Sequence, residues 1–291
     1  MLDFIINPIA GGKHGKKTRQ VASVLEQILK EKNVSYRLHL TSYKGHAKEL
    51  TKILISRGAS DIIVVGGDGT LHEVVNGFSN FEKVNLGLIP CGTGNDFASA
   101  LNIPLDPQKA LDIILNEQPK YVDFMQLGDV RGINIIGTGI DVDVLKRYEK
   151  LKRKNKFNYT GCLIKTLFNF EYTDFTAKID QREEKYRSFI ACIANGNVYG
   201  GGIPVCPPAN PTDNKLNFVA VKSMAKIKII NAFIKLKKGK ILLLKQSEHF
   251  ECDSVKIQTQ KPCTINVDGE LYENIPFEVK IVPNTLKMYR K

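Results

Sequence analysis

What the chain lacks narrows its class first. Its cysteines, at 91, 162, 192, 206, 252 and 263, include no C-x-x-C pair. That speaks against a zinc knuckle or a thioredoxin-like redox motif. Reduced thiols in a cytoplasmic protein are the simplest account. The histidines, at 14, 39, 46, 72 and 249, show no paired metal-ligand spacing. No apolar run approaches the roughly 18 residues of a membrane-spanning helix. The start, Met1-Leu2-Asp3-Phe4, lacks the charged-then-apolar layout of a secretory leader. There is no internal repeat and no low-complexity tract. Acidic residues are in short supply: 30 Asp and Glu stand against 42 Lys and Arg, a net charge of +12. With a pI near 9.3, that balance implies attraction to something anionic: a phosphorylated substrate, nucleic acid or an acidic membrane surface.

What is present suits a folded chain. The 291 residues accommodate two modest domains or one large one, and 43% apolar content supports a core. Over the first 120 residues, apolar runs at 2–6, 36–40, 61–65 and 86–89 alternate with helical stripes. One stripe is Val21, Val24, Leu25, Ile28 and Leu29; another is Leu71, Val74, Val75 and Phe78. Further helices are expected over 95–101 and 107–116. This alternation predicts an α/β fold whose first domain, 1–121, is doubly wound around a mostly parallel sheet. Ligands of such sheets bind at the carboxyl ends of the strands, where the glycine-rich turns of this chain fall. The pattern changes near Tyr121. Alternating segments at 187–193, 216–221 and 277–282 are separated by Asn195-Gly196-Asn197 and Pro207-Pro208-Ala209-Asn210-Pro211. They predict a second, β-rich, antiparallel, sandwich-like domain over 122–291. Its last residues are free to pack back on the first domain.

The turns carry the chemistry. Gly66-Gly67-Asp68-Gly69-Thr70 follows a buried strand and opens a helix. Glycines let main-chain N–H groups approach phosphate oxygens, and the helix start adds positive potential. Asp68 is anionic, so it suits a metal or water organiser beside a Mg²⁺–nucleotide. The plainer reading is a tight turn with Asp68 as helix cap. Gly92-Thr93-Gly94-Asn95-Asp96 repeats the arrangement on the next strand, with Asn95 or Asp96 as the plain cap. Together with Asn7-Pro8-Ile9-Ala10-Gly11, two such turns favour one shared phosphate cradle. Residues 10–18 are not a P-loop: Ala10 stands where glycine is needed and Lys17 where a hydroxyl is needed.

These motifs together resemble a known family. Asn7-Pro8…Gly11, Gly66-Gly67-Asp68-Gly69-Thr70 and Pro90-x-Gly92-Thr93-Gly94-Asn95-Asp96-Phe97-Ala98 resemble the diacylglycerol kinase catalytic domain, in particular the bacterial lipid kinases related to sphingosine kinases. The first glycine motif is shared with NAD kinases. The likeness extends to the end through Val267-Asp268-Gly269-Glu270. It implies an ATP-dependent kinase acting on a lipid hydroxyl, most simply diacylglycerol giving phosphatidic acid. It implies ATP contacts from Asn7, Pro8, Ile9, Ala10, Gly11, Thr41, Gly66, Gly67, Asp68, Gly69, Thr70, Leu71, His72 and Thr93. Thr41 lies in Leu40-Thr41-x-x-x-Gly45-His46-Ala47. Glu270 is implied as general base, with Asp268 beside it in strand-like alternation. Asp68, Asp96 and Asp123 are implied around the nucleotide's Mg²⁺. A structural Mg²⁺ is implied at the Asp213 side chain and the carbonyls of Asn210 and Lys215. There the chain departs from the family's Asp-Gly-x-Leu-Asp: it reads Asp213-Asn214-Lys215-Leu216-Asn217. Asn214 tolerates left-handed geometry, but Asn217 removes a charge. For Asp268-Gly269 the plainer reading is a hairpin turn.

Two basic stretches remain. Residues 146–156 carry seven Lys or Arg against Glu149 alone, and residues 222–245 carry eight lysines and no acid. In the second, Phe233, Ile234, Leu236 and 241–244 supply apolar side chains. Such a segment suits docking on an anionic membrane, giving a cytoplasmic, peripherally attached enzyme. It equally suits a core helix with solvated lysines. No nucleic-acid module is visible, and exposed strands leave a homodimer open. Two other functions stay in view: an NAD kinase-like phosphotransferase, and an inactive ATP-binding regulatory protein on the same fold.

Overall fold

The computed structural model describes residues 1–11, 16–151 and 156–291. The chain divides into two compact units, Met1–Val122 with Asn284–Lys291, and Asp123–Pro283.

The first unit is an α/β layer structure. In order it contains β1 (Leu2–Ile6), α1 (Lys16–Glu31), β2 (Tyr36–Leu40), α2 (His46–Ser56), β3 (Asp61–Gly66), α3 (Asp68–Val75), β4 (Asn85–Pro90), α4 (Asp96–Ala100) and α5 (Pro107–Asn116). Strand order is β4-β3-β1-β2, every pair parallel. Ile62, Ile63, Val64 and Val65 are all fully buried. A strand buried on both faces reads as a continuous apolar run, and helices must cover both sides. The register pairs Ile6 with Val65 and Gly66 with Pro90, so three strands end level with one another. α5 starts cleanly because the Asp106 carboxylate accepts the Gln108 and Lys109 amides, and Pro107 sits where no amide is needed. Beneath β1, Asp3 is fully buried and accepts two hydrogen bonds from Arg37 and one contact from His39.

The second unit continues with β5 (Pro119–Leu127), β6 (Val130–Gly132), β7 (Ile135–Gly139), α6 (Ile140–Glu149), α7 (Lys156–Asn169), β8 (Thr173–Ile179), β9 (Arg182–Ala194), β10 (Leu216–Lys222), α8 (Lys226–Lys237), a single 3₁₀ turn (Ile241–Leu243), β11 (Ser247–Cys252), β12 (Ser254–Thr259), β13 (Ile265–Val267), β14 (Glu270–Tyr272) and β15 (Glu278–Tyr289). Its strands pair antiparallel, in the order β14-β13-β7-β9-β8-β12-β15, with β10 and then β11 branching from β9. β9 and β10 alternate between two cores. Ile190, Cys192, Val219 and Val221 pack with the helices α6, α7 and α8. Ala191, Ile193, Phe218 and Ala220 pack with residues of β12, β13 and β15. That double burial explains why these strands read as apolar runs.

β15 outruns the strand expected at 277–282. Leu286 and Met288 are fully buried, and Lys287 and Met288 pair parallel with Asn85 and Leu86 of β4. The tail thus belongs to the first unit. Lys13, His14 and Gly15 of the P-loop comparison, and residues 152–155 of the first basic stretch, lie outside the described residues.

Candidate active site

The level strand ends of the first unit bring the glycine turns into direct contact. A Cβ at Gly67 would lie 2.8 Å from the Gly92 Cα, and one at Gly92 would lie 2.5 Å from the Gly67 Cα. Neither position admits a side chain. The Asn7 amide donates to the Thr70 hydroxyl at 3.0 Å, and the Ile9 amide donates to the Asn7 Oδ1 at 3.1 Å. The Thr41 amide donates to the Ile6 carbonyl at 2.9 Å. The structure therefore gathers residues 7–11, Thr41, 66–70 and 92–96 at one edge of the sheet. Ile9, Gly69 and Thr93 are exposed there; Pro8, Ala10 and Gly11 are half-buried.

Each turn is held by its own side chain. Asn95 has left-handed backbone geometry, φ 55°; its Oδ1 accepts the Gly92 amide at 2.8 Å and its Nδ2 donates to the Gly92 carbonyl at 3.0 Å. Glu73 of α3 accepts the amides of Gly45 and Ala47 at 2.8 and 3.1 Å, fixing the turn after Thr41. The sequence motifs gave no hint of Glu73, which lies one turn beyond the glycines. No side chain caps the start of α3, leaving a helix N-terminus of the kind that receives phosphate.

Asp68 and Asp96 face each other across Gly94. A Cβ there would meet the Asp68 Oδ2 at 2.9 Å and the Asp96 Oδ2 at 3.3 Å. Asp68 does cap a helix, but it is α4 of the neighbouring turn: its Oδ1 accepts the Phe97 amide at 3.2 Å. Burial, and then the Asp96 charge, push the Asp68 carboxyl up to about 6 despite amide bonds that oppose the shift. Two hard oxygen donors that destabilise one another fit a divalent cation.

Two residues expected to contact the nucleotide have buried side chains. Leu71 is fully buried, and its amide donates to the Gly67 carbonyl inside α3. His72 is also buried, beside the Asn76 side chain. Both follow the turn by enough residues that the helical period carries them into the core.

In the second unit, Asp268 and Gly269 form the turn between β13 and β14, with φ of 53° and 95°, the two positive values a tight Asp-Gly hairpin needs. Asp268 does more than turn. Its Oδ2 accepts the Ile133 amide at 2.8 Å, and its Oδ1 accepts those of Asn134 and Ile135 at 2.8 and 3.0 Å. A carboxylate so engaged positions the hairpin, so the expected catalytic part for Asp268 becomes a positioning one. Glu270 opens β14, paired with Val267 and half-buried. The same hairpin is tied from behind: the Gly269 amide donates to the Asn266 Oδ1 at 2.8 Å, and the Asn266 Nδ2 donates to the Asp141 Oδ2 at 2.9 Å. Asp141 is buried, with Oδ1 lacking a partner, and burial pushes its carboxyl up to about 6. Asn195 donates to the carbonyls of Asp123 and Ile133. Asn134, Asp141, Asn195 and Asn266 escaped sequence reasoning. For Asp141 the available signal was Gly137 and Gly139, glycines at the end of β7 directly before α6. Thr138 and Thr264 line a cavity of about 1130 Å³ with Lys146 and Lys165.

Asp268→Asn should show what the clasp is worth. Asn keeps the shape but loses one acceptor oxygen, so at least one amide among Ile133, Asn134 and Ile135 is left bare. The expected cost is about 1–3 kcal/mol, measured as a lower denaturant midpoint at unchanged slope.

Asp123 is placed with the loop expected to hold metal. Its Oδ2 accepts the Asn214 amide at 2.8 Å, and its amide donates to the Pro211 carbonyl at 2.8 Å. Asn214 has φ 63°, so it takes the conformation the family's glycine provides. Burial, together with Asp123 and Glu251, raises the Asp213 carboxyl, while one of its oxygens accepts the Lys215 amide. The Lys215 ammonium is drawn off to Asp253 at 2.7 Å. Asn217 is buried against His249 at 2.7 Å. No group of three His, Cys, Asp or Glu converges among the described residues. The loop is closed by its own hydrogen bonds, with one Asp213 oxygen taken by the Lys215 amide.

Comparison with known proteins agrees over nearly the whole chain. Residues 2–127 match the family model described as "Diacylglycerol kinase catalytic domain", and residues 134–290 match "YegS C-terminal NAD kinase beta sandwich-like domain". The chain belongs to the diacylglycerol kinase family. Within this family it is 28% identical over 311 residues to the "Putative lipid kinase YtlR" of Bacillus subtilis, covering 98% of each chain. A "Putative lipid kinase" of Staphylococcus carnosus is 28% identical over 234 residues, covering 77% of this chain and 75% of that one. In fold, the crystal structure of a "putative diacylglycerol kinase" from Bacillus anthracis superposes with a TM-score of 0.80 at 23% identity, over 100% of this chain and 96% of that one. An NAD kinase from Archaeoglobus fulgidus in complex with ATP superposes with a TM-score of 0.57 at 12% identity, over 100% and 94%. Among the described residues no helix is long and apolar enough to cross a membrane.

Proposed function

We propose that this member of the family transfers the γ-phosphoryl group of ATP to the hydroxyl of a lipid alcohol, with diacylglycerol as the acceptor. The observation that carries the reading is the contact of Gly67 with Gly92, which makes two glycine turns one continuous floor of main-chain atoms. A triphosphate resting there meets the open start of α3 and the amides of both turns. Asn7, through Thr70, keeps the first loop against that floor. Asp68 and Asp96 would hold a Mg²⁺, which supplies positive charge to the phosphates when bound.

Glu270 is the general base in this reading. It takes the proton of the acceptor hydroxyl as the oxygen attacks phosphorus and the bond to ADP breaks. The proton ends on the Glu270 carboxylate and the phosphoryl group on the lipid oxygen. The Asp268 clasp and the Asn266–Asp141 link hold the hairpin that presents it.

The reading is tested by ADP release measured with ATP, Mg²⁺ and one acceptor at a time: diacylglycerol, a sphingoid base, a monoacylglycerol or NAD. Diacylglycerol should give the highest kcat/KM. Turnover with NAD alone would move the chain to the NAD kinase reading, and turnover with none would leave a binding protein.

Asp68 gives a second test, through stability. Its carboxyl is raised in the folded state, so ionisation costs stability as pH climbs from about 4 to about 6, and the full cost is present above that. Asp68→Asn should therefore raise Tm at pH 7.5, lose most of that gain at pH 4, and lower turnover sharply. A Tm gain equal at both pH values would contradict the assignment.

A further inference from the structure

The second basic stretch is divided by the fold. Ile229, Ala232 and Leu236 of α8 are buried in the helix-covered core, as is Ile241 of the following turn. Phe233, Leu242 and Leu244 pack against the same core, so the core-helix reading takes most of the apolar residues. Three stay out. Ile230 and Ile234, four residues apart on one side of α8, are 50% and 47% exposed, and Leu243 of the 3₁₀ turn is 70% exposed. Nothing in the core explains why these three positions are apolar.

The turn between them is built to project. Gly239 has φ 67°, the Lys240 amide donates to the Lys235 carbonyl, and the Gly239 amide donates to the Leu236 carbonyl. That double bond pattern ends a helix sharply and reverses the chain. It leaves Lys237, Lys238 and Lys240 exposed between Ile234 and Leu243, with Lys228 and Lys245 exposed at the flanks. None of these five lysines is ion-paired among the described residues, and residues 222–245 contain no acid. Elsewhere in this unit lysines do find acids, as Lys215 finds Asp253.

We propose that α8 and the turn after it form a docking surface for an anionic lipid bilayer. Exposed aliphatic side chains inside a field of lysines without acidic partners among the described residues fit an interface with apolar depth and a negative surface. The isoleucines and Leu243 enter the acyl boundary and the ammonium groups meet lipid phosphates. Nucleic acid would use the charge and leave the aliphatic side chains unmatched. Docking is separate from the nucleotide chemistry and is measured without ATP.

The full chain is sedimented with vesicles of phosphatidylcholine alone and of phosphatidylcholine with phosphatidylglycerol, in low and high salt. Wild type should bind the phosphatidylglycerol vesicles, bind the neutral ones weakly, and detach in high salt. I230S/I234S/L243S should bind about tenfold more weakly or worse, and so should K237E/K238E/K240E. All the apolar replacements are at exposed positions, and circular dichroism confirms folding of each variant. Wild-type affinity in either folded variant overturns the proposal. So does wild-type protein that stays in the supernatant with both vesicles, or that binds duplex DNA through the same lysines while ignoring vesicles.

Discussion

Glu270→Gln should lower kcat by about 10²–10⁴-fold, the range that a positioned general base contributes. The substitution keeps volume and removes only the proton-accepting charge. Glu270 enters β14 through main-chain pairing with Val267, and the turn before it is set by Asp268 and Gly269. The hairpin should therefore keep its shape, and Tm should move little. ATP affinity, measured by calorimetry, should stay within a few-fold, because the glycine floor belongs to other residues. Asp268→Asn should behave differently: stability falls, and turnover falls with it because the hairpin is held less well. Unchanged turnover in Glu270→Gln would remove it as base.

Gly92→Ala should be the most damaging single methyl group in the first unit. The added carbon would sit 2.5 Å from the Gly67 Cα and 2.8 Å from the Asn95 Oδ1. Backbone blocks the first contact, and the second is the hydrogen bond that holds the turn. Overpacking of this kind costs about 1–3 kcal/mol, and the floor must open to relieve it. Loss of ATP binding should accompany the loss of stability. Gly161→Ala is the matched control: it lies within α7, and a Cβ there meets nothing within 4 Å. It should be neutral or stabilising by up to about 1 kcal/mol. Equal ATP affinity in Gly92→Ala and wild type would mean that the two turns are not the nucleotide floor.

Periodicity made much of this fold legible. Residues 61–65 read as a buried strand because both faces of β3 are covered, and alternation within 187–193 reflects a strand shared between two cores. The end of β15 was harder, since pairing of Lys287 and Met288 with β4 is a contact between residues two hundred positions apart. The glycine turns were legible because main-chain approach demands glycine by type. Leu71 and His72 follow the motif in sequence, yet the 3.6-residue period turns them inward. Asp268 showed the opposite limit. An acid at a hairpin can cap amides or face a substrate, and spacing alone does not say which; its three amide donors lie about 135 positions away. Asn134, Asn195 and Asn266 were silent for the same reason. A buried asparagine is recognised by its partners, and apart from the Gly269 amide on Asn266 these partners are distant in sequence. The 222–245 segment yielded to neither reading alone. One helix spends Leu236 on the core and leaves Ile230 and Ile234 in solvent.

The most direct test of the account is phosphate transfer itself. Folded wild-type protein is incubated with γ-labelled ATP, Mg²⁺ and dispersed diacylglycerol, and the lipids are extracted and separated. The account predicts label in phosphatidic acid at a rate that depends on both substrates and is lost in Glu270→Gln. ATP bound by the folded protein, with no label entering any lipid alcohol, would contradict it.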